Sequence, residues 1–489
     1  MGNGSPARWV ALAVVCTGAL MNVLDTTIVG VALPDIRQAL GFSQASLAWV
    51  VNAYLLTFGG FLLLGGRLGD LFGHRRVFTA AIGLFTLASL ACGLAGGQGF
   101  LLGARAVQGL GGAVASAVAL SLVVALFPEP AERAKAMGVY GLLAAGGGSI
   151  GVLLGGVLTG LLSWHWIFLV NVPIGAAVVL ASLRVLPAAP VRAAGGRLDI
   201  PGAVLVTAAV LLAVYAITGS GQAGWARTGG ELAGAAVLLA AFAAVESRAA
   251  TPLVPLRLLR QRNLTVASLT GVLWSAAMFA CFFLTTLYLQ LVLGYRPLQT
   301  GLAFLPMNVI MSCLSAGAAA RLVARFGIKP PLVTGLLLAA AGLALLGQAP
   351  VGGHFLTDVL PGGILLGTGA GTALAPLLLV ATNDLPPAES GLASGIVNTA
   401  FMLGGALGLA VLASLASART ASLLATGHSH VAALTGGYHA AFLVGAGSAV
   451  IAALAAAAWL RPATSRTEPG TAASAESALA AAAGGPPPR

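Results

Sequence analysis

One aspartate, Asp25, stands inside an apolar run from Trp9 to Leu33. About 20 apolar residues are enough to cross a bilayer. An ionised carboxylate at that depth costs at least about 2.5–3.5 kcal/mol, so it must face a protein interior or a wet cavity. At helical spacing Gly18, Met21, Asn22 and Asp25 share one face, so the small and polar residues point the same way as the acid. The chemistry open to such a carboxyl is the gain and loss of a proton; the alternative is a structural acid satisfied by neighbouring helices. A second charge lies at depth in the fourth apolar run. Arg105 heads a stripe of Gln108, Gly109, Gly112 and Ser116, spaced for one helix face. A guanidinium stays charged and needs a partner or water. We expect Asp25 and Arg105 to communicate across a central cavity as a proton-coupling pair, against the alternative that Arg105 only bonds backbone carbonyls.

The second half of the chain offers a different set: Phe282, Tyr288, Gln290, Met307, Asn308, Asn398 and Phe401, accompanied by Trp274, Phe279, Phe283, Phe304, Met311 and Met402. Aromatics and methionines suit a pliable apolar pocket. With Asn22 and Gln108 from the first half they are the candidate substrate cavity, although ordinary packing accounts equally for most single members. Asn398 stands out, because a buried amide needs partners. Mid-membrane acids are missing from this half: Asp358 falls near an outer helix start, and Asp384 and Glu389 in a loop. Low proton stoichiometry is therefore expected. A phosphate-binding G-x-x-x-x-G-K-[ST] is absent, so ATP is not the expected energy source. Neither a Ser/His/Asp arrangement nor a metal-ligand spacing occurs, and Cys16, Cys92, Cys281 and Cys313 read as packing residues. We expect no enzyme, no cofactor and no metal, with a proton gradient as the driving force.

The elements that must position these residues follow from composition. Of 489 residues, 58% are hydrophobic and 8% charged, against about 25% charged in soluble chains. This is an all-α polytopic membrane protein. Spanning runs fall near 9–33, 47–66, 77–96, 100–126, 137–160, 164–186, 200–219, 230–246, 264–292, 301–320, 331–348, 356–381, 391–415 and 439–460, fourteen in all. With the N-terminus inside, only Arg37, Arg227, Arg296 and Arg419 lie outside and Arg105 within the membrane; the other Lys and Arg are cytoplasmic, as the positive-inside rule asks. That asymmetry accounts for the net charge of +11 without a nucleic-acid partner. Both termini are expected in the cytoplasm. The first run is too long for a signal peptide and reads as a retained helix.

The most polar connections flank runs seven and eight. They divide the chain into a six-helix bundle at 1–187, a linker with two additional helices at 188–263, a second six-helix bundle at 264–462, and a disordered tail at 463–489 rich in Ala, Ser, Gly and Pro. A repeat supports the division. Arg67-Leu68, three residues, Phe72-Gly73, one residue and Arg75 is matched by Arg321-Leu322, Phe326-Gly327 and Lys329 at the same spacing. Parallel halves of this kind are a transporter signature. Gly66, Gly69 and Gly73 permit a tight loop, in which Arg67, Asp70, Arg75 and Arg76 read as a latch stabilising one access state. Asp70 is placed to meet a helix N-terminus, whereas Ala324 stands at its counterpart.

These stretches resemble the major facilitator superfamily, specifically its fourteen-helix drug:proton antiporter branch. Gly66 to Arg76 matches the superfamily loop motif. Leu24-Asp25-Thr26-Thr27-Ile28-Val29-Gly30 to Pro34 is similar to the branch's first-helix motif, with Gly30 for the usual Asn. Leu102-Gly103-Ala104-Arg105-Ala106-Val107-Gln108-Gly109 matches the fourth-helix motif, and Trp164 to Pro173 a sixth-helix signature, with His165 where Arg is usual. The antiporter-type glycine motif of the fifth helix keeps Gly147, Gly151, Gly155 and Gly156 but has Val152 for Pro. The resemblance implies a major facilitator fold in a bacterial cytoplasmic membrane, acting as a monomer, and proton-coupled efflux of small amphipathic organic compounds by alternating access. An exporter of a lipid, siderophore, amino acid or self-made metabolite on the same scaffold is the alternative, as is a non-transporting membrane sensor or scaffold.

Overall fold

The structure is a computed structural model that describes residues 6–187, 198–249, 252–383 and 385–461. Arg192, Arg197, Asp384 and the 463–489 tail lie outside the described residues. Every regular element among them is helical, as a bilayer demands of a chain whose backbone groups must bond within their own segment.

The first half is α1 (Pro6–Leu40), α2 (Trp49–Phe72), α3 (His74–Gly93), α4 (Gln98–Leu126), α5 (Pro130–Leu161) and α6 (Trp166–Val185). Then come α7 (Ile200–Ser220) and α8 (Ala226–Arg248), parted at Gly224, whose φ of 69° breaks the helix. The second half is α9 (Arg262–Val292), α10 (Pro297–Cys313, carried on through a π-turn at Leu314–Ala318 and Ala319–Phe326), α11 (Lys329–Leu346), α12 (Phe355–Thr382), α13 (Pro387–Ala425) and α14 (His430–Trp459). Thirteen of these are long and apolar enough to span a membrane, and α10 with its continuation carries the chain back between α9 and α11. Most helices overrun the apolar runs that reveal them. α1 extends past Leu33 through Pro34 to Leu40, and α13 is 39 residues long, because hydropathy marks the bilayer and not the helix end.

Basic residues gather at one end of the bundle. There Arg8 pairs with Glu132 at 3.3 Å, and Arg75 donates to the Leu183 carbonyl. Arg262 Nε and Lys329 Nζ reach the Trp459 and Leu460 carbonyls at 2.8 and 3.3 Å. We call this the arginine-rich end. α2 turns into α3 there through one residue, Gly73, at φ 90°, and the repeat returns at Gly327, at φ 79°. Both positions need the left-handed region that glycine enters freely.

α5 lies against two partners through one glycine series. A Cβ at Gly151 or Gly155 would stand 3.0 Å from the Leu24 or 2.7 Å from the Ile28 carbonyl oxygen of α1; one at Gly147 would meet Leu20. One at Gly156 would stand 2.8 Å from the Pro297 carbonyl of α10, in the other half. Small residues thus set both contacts, as in other close membrane-helix packings.

The additional helices straddle the seam between the halves. Trp49 of α2 donates to Thr218 of α7 at 3.1 Å, and Ser414 of α13 donates to the Ile217 carbonyl at 3.3 Å.

Candidate functional site

Asp25 is fully buried and Arg105 is 1% exposed. Arg105 Nη1 donates directly to Asp25 Oδ2 at 2.5 Å and to Gln108 Oε1 at 2.7 Å, and Nε donates to the Val50 carbonyl at 3.0 Å. Gln108 Nε2 donates to Asp25 Oδ1 at 2.7 Å and to Ser89 Oγ at 2.8 Å. Asn171 Nδ2 reaches Asp25 Oδ1 at 3.5 Å. The guanidinium lies 4.5 Å from the Tyr54 ring centroid and 5.6 Å from that of Phe168, close enough for cation–π attraction. Five helices, α1, α2, α3, α4 and α6, therefore converge on one network around this ion pair. A buried pair survives the loss of water only when its remaining donors and acceptors are satisfied, and this network supplies them.

The expectation that Asp25 and Arg105 communicate across a central cavity is corrected. They touch within the first half, and neither borders the hollow between the halves. α1 has two working faces. Gly18, Met21, Asn22 and Asp25 turn into the first bundle, where Asn22 Nδ2 donates to Ser116 Oγ at 2.9 Å. Val23, Thr26, Thr27, Gly30 and Val31 turn to the hollow.

That hollow, of about 520 Å³, is lined from the first half by those α1 residues, Val51, Gly148 and Val152, and from the second by Phe279, Phe282, Phe283, Phe304, Asn308 and Met311, among others. No charged side chain lines it among the described residues. Phe282 stacks on Phe304, centroids 5.6 Å apart. Asn308 is 1% exposed and its Nδ2 makes no hydrogen bond, while Thr26, Thr27, Thr286, Ser312 and Ser315 bring hydroxyls to an otherwise apolar lining. The far end is shut where Gly156 meets Pro297 and Gly301 meets Val152, and Gln290 Nε2 bonds the Val31 carbonyl at 2.8 Å. Towards the arginine-rich end, Gly138 and Gly141 of α5 have open space around them, and Gly141 and Leu378 on the lining are exposed.

Of the candidate cavity residues, Phe279, Phe282, Phe283, Phe304, Asn308, Met311 and Met402 line the hollow and the others do not. Asn22 and Gln108 are drawn into the first bundle by its polar network. Tyr288 is held by the Pro350 carbonyl at 2.7 Å, and Gln290 bridges the closed end. Met307 packs under Gly367 of α12, and Phe401 stands edge-on behind Phe279 at 6.1 Å. Asn398 is half-buried and off the lining. Sequence reasoning missed Ser312 and Ser315 as lining residues, and Ser89, Tyr54 and Asn171 as network members. Only Asn171 carried a signal, its place in a quoted motif.

In the loop motif, Asp70 lies 3.4 Å from the His74 ring at the start of α3 and makes no hydrogen bond to the helix's first amides. Arg75 ties the loop to α6, while Arg67 and Arg76 are exposed. Gly66 has open space around it, so the tight approach belongs to Gly69, while Gly73 serves the turn through its φ of 90°. Outside the spans, burial holds the His165 imidazole below its ordinary range, and its ring stacks on Trp164 at 3.8 Å.

Two parallel helical halves around an uncharged hollow, with one buried ion pair in the first, define a membrane transporter, and comparison with known proteins agrees. Residues 15–409 match the Major Facilitator Superfamily, and the chain belongs to that family. It is 41% identical over 443 residues to the puromycin resistance protein pur8 of Streptomyces alboniger, covering 89% of this chain and 87% of that one. It is 39% identical over 425 residues to the cephamycin export protein CmcT of Amycolatopsis lactamdurans, covering 86% and 87%. Among solved structures, a bacterial homologue of the lysosomal transporter Spinster superposes with a TM-score of 0.69 at 17% identity, over 95% of this chain and all of that one. The protein is a multi-pass bacterial membrane protein of an antibiotic-resistance and export branch.

Proposed function

We propose that the protein exports uncharged or weakly charged amphipathic antibiotics across the cytoplasmic membrane in exchange for protons. The relatives are puromycin and cephamycin proteins by name, and the hollow suits that chemistry. The observation that carries the reading is a 520 Å³ chamber with apolar walls and one free amide donor on Asn308. It rewards apolar area, offers a few polar side chains for orientation, and offers no counter-charge to a cation.

Taking the arginine-rich end as cytoplasmic, this is the loading state, open inwards and shut outside at Gly156. Asp25 is ionised against Arg105 in it. Protonation from the outer side cancels the charge that holds Arg105 Nη1 and Gln108 Nε2, so the network relaxes and α1 moves. Because the other face of α1 lines the hollow, a change at Asp25 alters the chamber without the proton entering it. Coupling then works through differential stability of two states. Asp70 and the loop around Gly73 bias the same equilibrium from the cytoplasmic side.

The test is proton release in energised inverted vesicles. Puromycin should trigger alkalinisation of the vesicle lumen in proportion to its uptake. Uptake that persists unchanged after the gradient is collapsed would remove the proton from the cycle.

A further inference from the structure

Away from both the hollow and the Asp25 network, two carboxyl groups meet at the arginine-rich end of the additional helices. Asp199 caps α7, its Oδ1 accepting from Gly202 N at 2.9 Å. Glu246, in the last turn of α8, accepts from Val254 N through Oε2 at 3.3 Å. Asp199 is 8% and Glu246 3% exposed. The remaining oxygens, Asp199 Oδ2 and Glu246 Oε1, have no other partner, and the two groups lie within hydrogen-bonding reach of one another. Around them the walls are apolar, with Leu64 of α2, Ala203 and Leu253 at the centre. Among the described residues, the charged groups on the surrounding elements are engaged or turned outward: Asp70 with His74, Arg257 with Glu389, and Arg67, Arg248 and Arg260 exposed. Two bare carboxylates cannot face one another in such a place; like charges at contact in a poor solvent force one to take up a proton.

We propose that Asp199 and Glu246 form a one-proton site, a single H⁺ shared between Oδ2 and Oε1 that clasps the two ends of the inserted hairpin onto α2. The protonated carboxyl donates and the other accepts. As pH rises the proton leaves to water, the pair carries two negative charges in place of one, and the start of α7, the end of α8 and the Leu253 loop are pushed apart. Since α7 lies on the seam between α2 and α13, the clasp sets how firmly the insertion grips both halves.

Infrared spectroscopy of the full-length protein tests this. Wild type at neutral pH should show a protonated-carboxyl stretch that titrates away with rising pH and is lost in Asp199→Asn and in Glu246→Gln. Asn keeps the helix cap and offers Glu246 an amide hydrogen, so Asp199→Asn should fold. Loss of the shared proton leaves two like charges in contact across the clasp, so its contribution to stability is present at low pH and lost as pH rises. Wild type should therefore show a falling melting temperature across the range in which the band disappears, and both variants a flatter one. Variant spectra identical to wild type at neutral pH overturn the proposal. So does a missing band together with stabilisation by added sodium or calcium, which would make the pair a cation site.

Discussion

The two six-helix halves share a path and differ in chemistry. Each turns from its second to its third helix through a left-handed glycine, Gly73 or Gly327, yet Asp70 faces His74 in the first copy where Ala324 stands in the second. The first half holds the only ion pair among the described residues with both partners fully buried, Asp25–Arg105. The second holds none of this kind and supplies the aromatic wall of the hollow. Helix breaks and small-residue contacts can therefore be duplicated while charge is placed once. Ion chemistry and substrate chemistry are kept apart, joined by α1, which serves each with a different face.

The strongest break of that division is Asp25→Asn. It leaves the hollow intact but strands Arg105, and breaking a buried pair costs about 3–5 kcal/mol. Uphill efflux from vesicles should fall to the background of empty membranes, while downhill puromycin exchange persists. Adding Arg105→Gln should recover folding, seen as melting temperature, without recovering pumping. Full pumping by the double variant would dissolve the contrast between the halves.

Next in size is a pair of glycines one residue apart. Gly155→Val drives a side chain into the Ile28 carbonyl within the first half, and overpacking of this kind costs about 1–3 kcal/mol of stability. Gly156→Val meets Pro297 across the seam. Its expected signature is lost transport at nearly unchanged melting temperature, because only closure of the outer end is obstructed. Equal destabilisation by both would mean that the seam is as permanent as the bundle interior.

Much of this was legible in the sequence. Asp25 and Arg105 announced themselves, because a charge within an apolar run has few explanations. The glycine series of α5 foretold close packing. What the sequence withheld was direction. A helical wheel groups Asn22 with Asp25 but cannot say whether that face meets four neighbouring helices or a wet hollow; the polar partners Ser89, Gln108 and Asn171 decide it, and they come from three other helices. In the second half the residue types were informative, and the individuals divided: Phe279, Phe283, Phe304 and Met311 line the hollow, Trp274, Tyr288 and Met307 do not. Phe282 lines the hollow and Phe401 stands behind it, a difference fixed by helix rotation alone. Asn398 stood out as the amide to watch, yet it lies off the lining, and it is Asn308 that lines the hollow with an unpaired nitrogen.

Smaller effects should come from the second half and spare the proton. Phe282→Ala removes one member of the stack on Phe304, so KM for puromycin is expected to rise about tenfold, equivalent to about 1.4 kcal/mol, with substrate-free proton leak unchanged. A change in the pH dependence of transport in this variant would show that the second half also reports on the proton.

The smallest and most selective effect separates the two amides. Asn308→Leu deletes the free amide donor on the lining while roughly preserving bulk. Substrates that present an acceptor to it should lose a few-fold in affinity, since a net hydrogen bond contributes about 0.5–1.5 kcal/mol, and purely apolar dyes should bind as well or better. Asn398→Leu, off the lining, should leave both classes within experimental scatter. Binding titrations of the two variants against the same compound set measure the comparison. If Asn398→Leu proves the selective one, the second half presents its amide to the substrate from α13 rather than α10, and the hollow is loaded in a conformation other than this one.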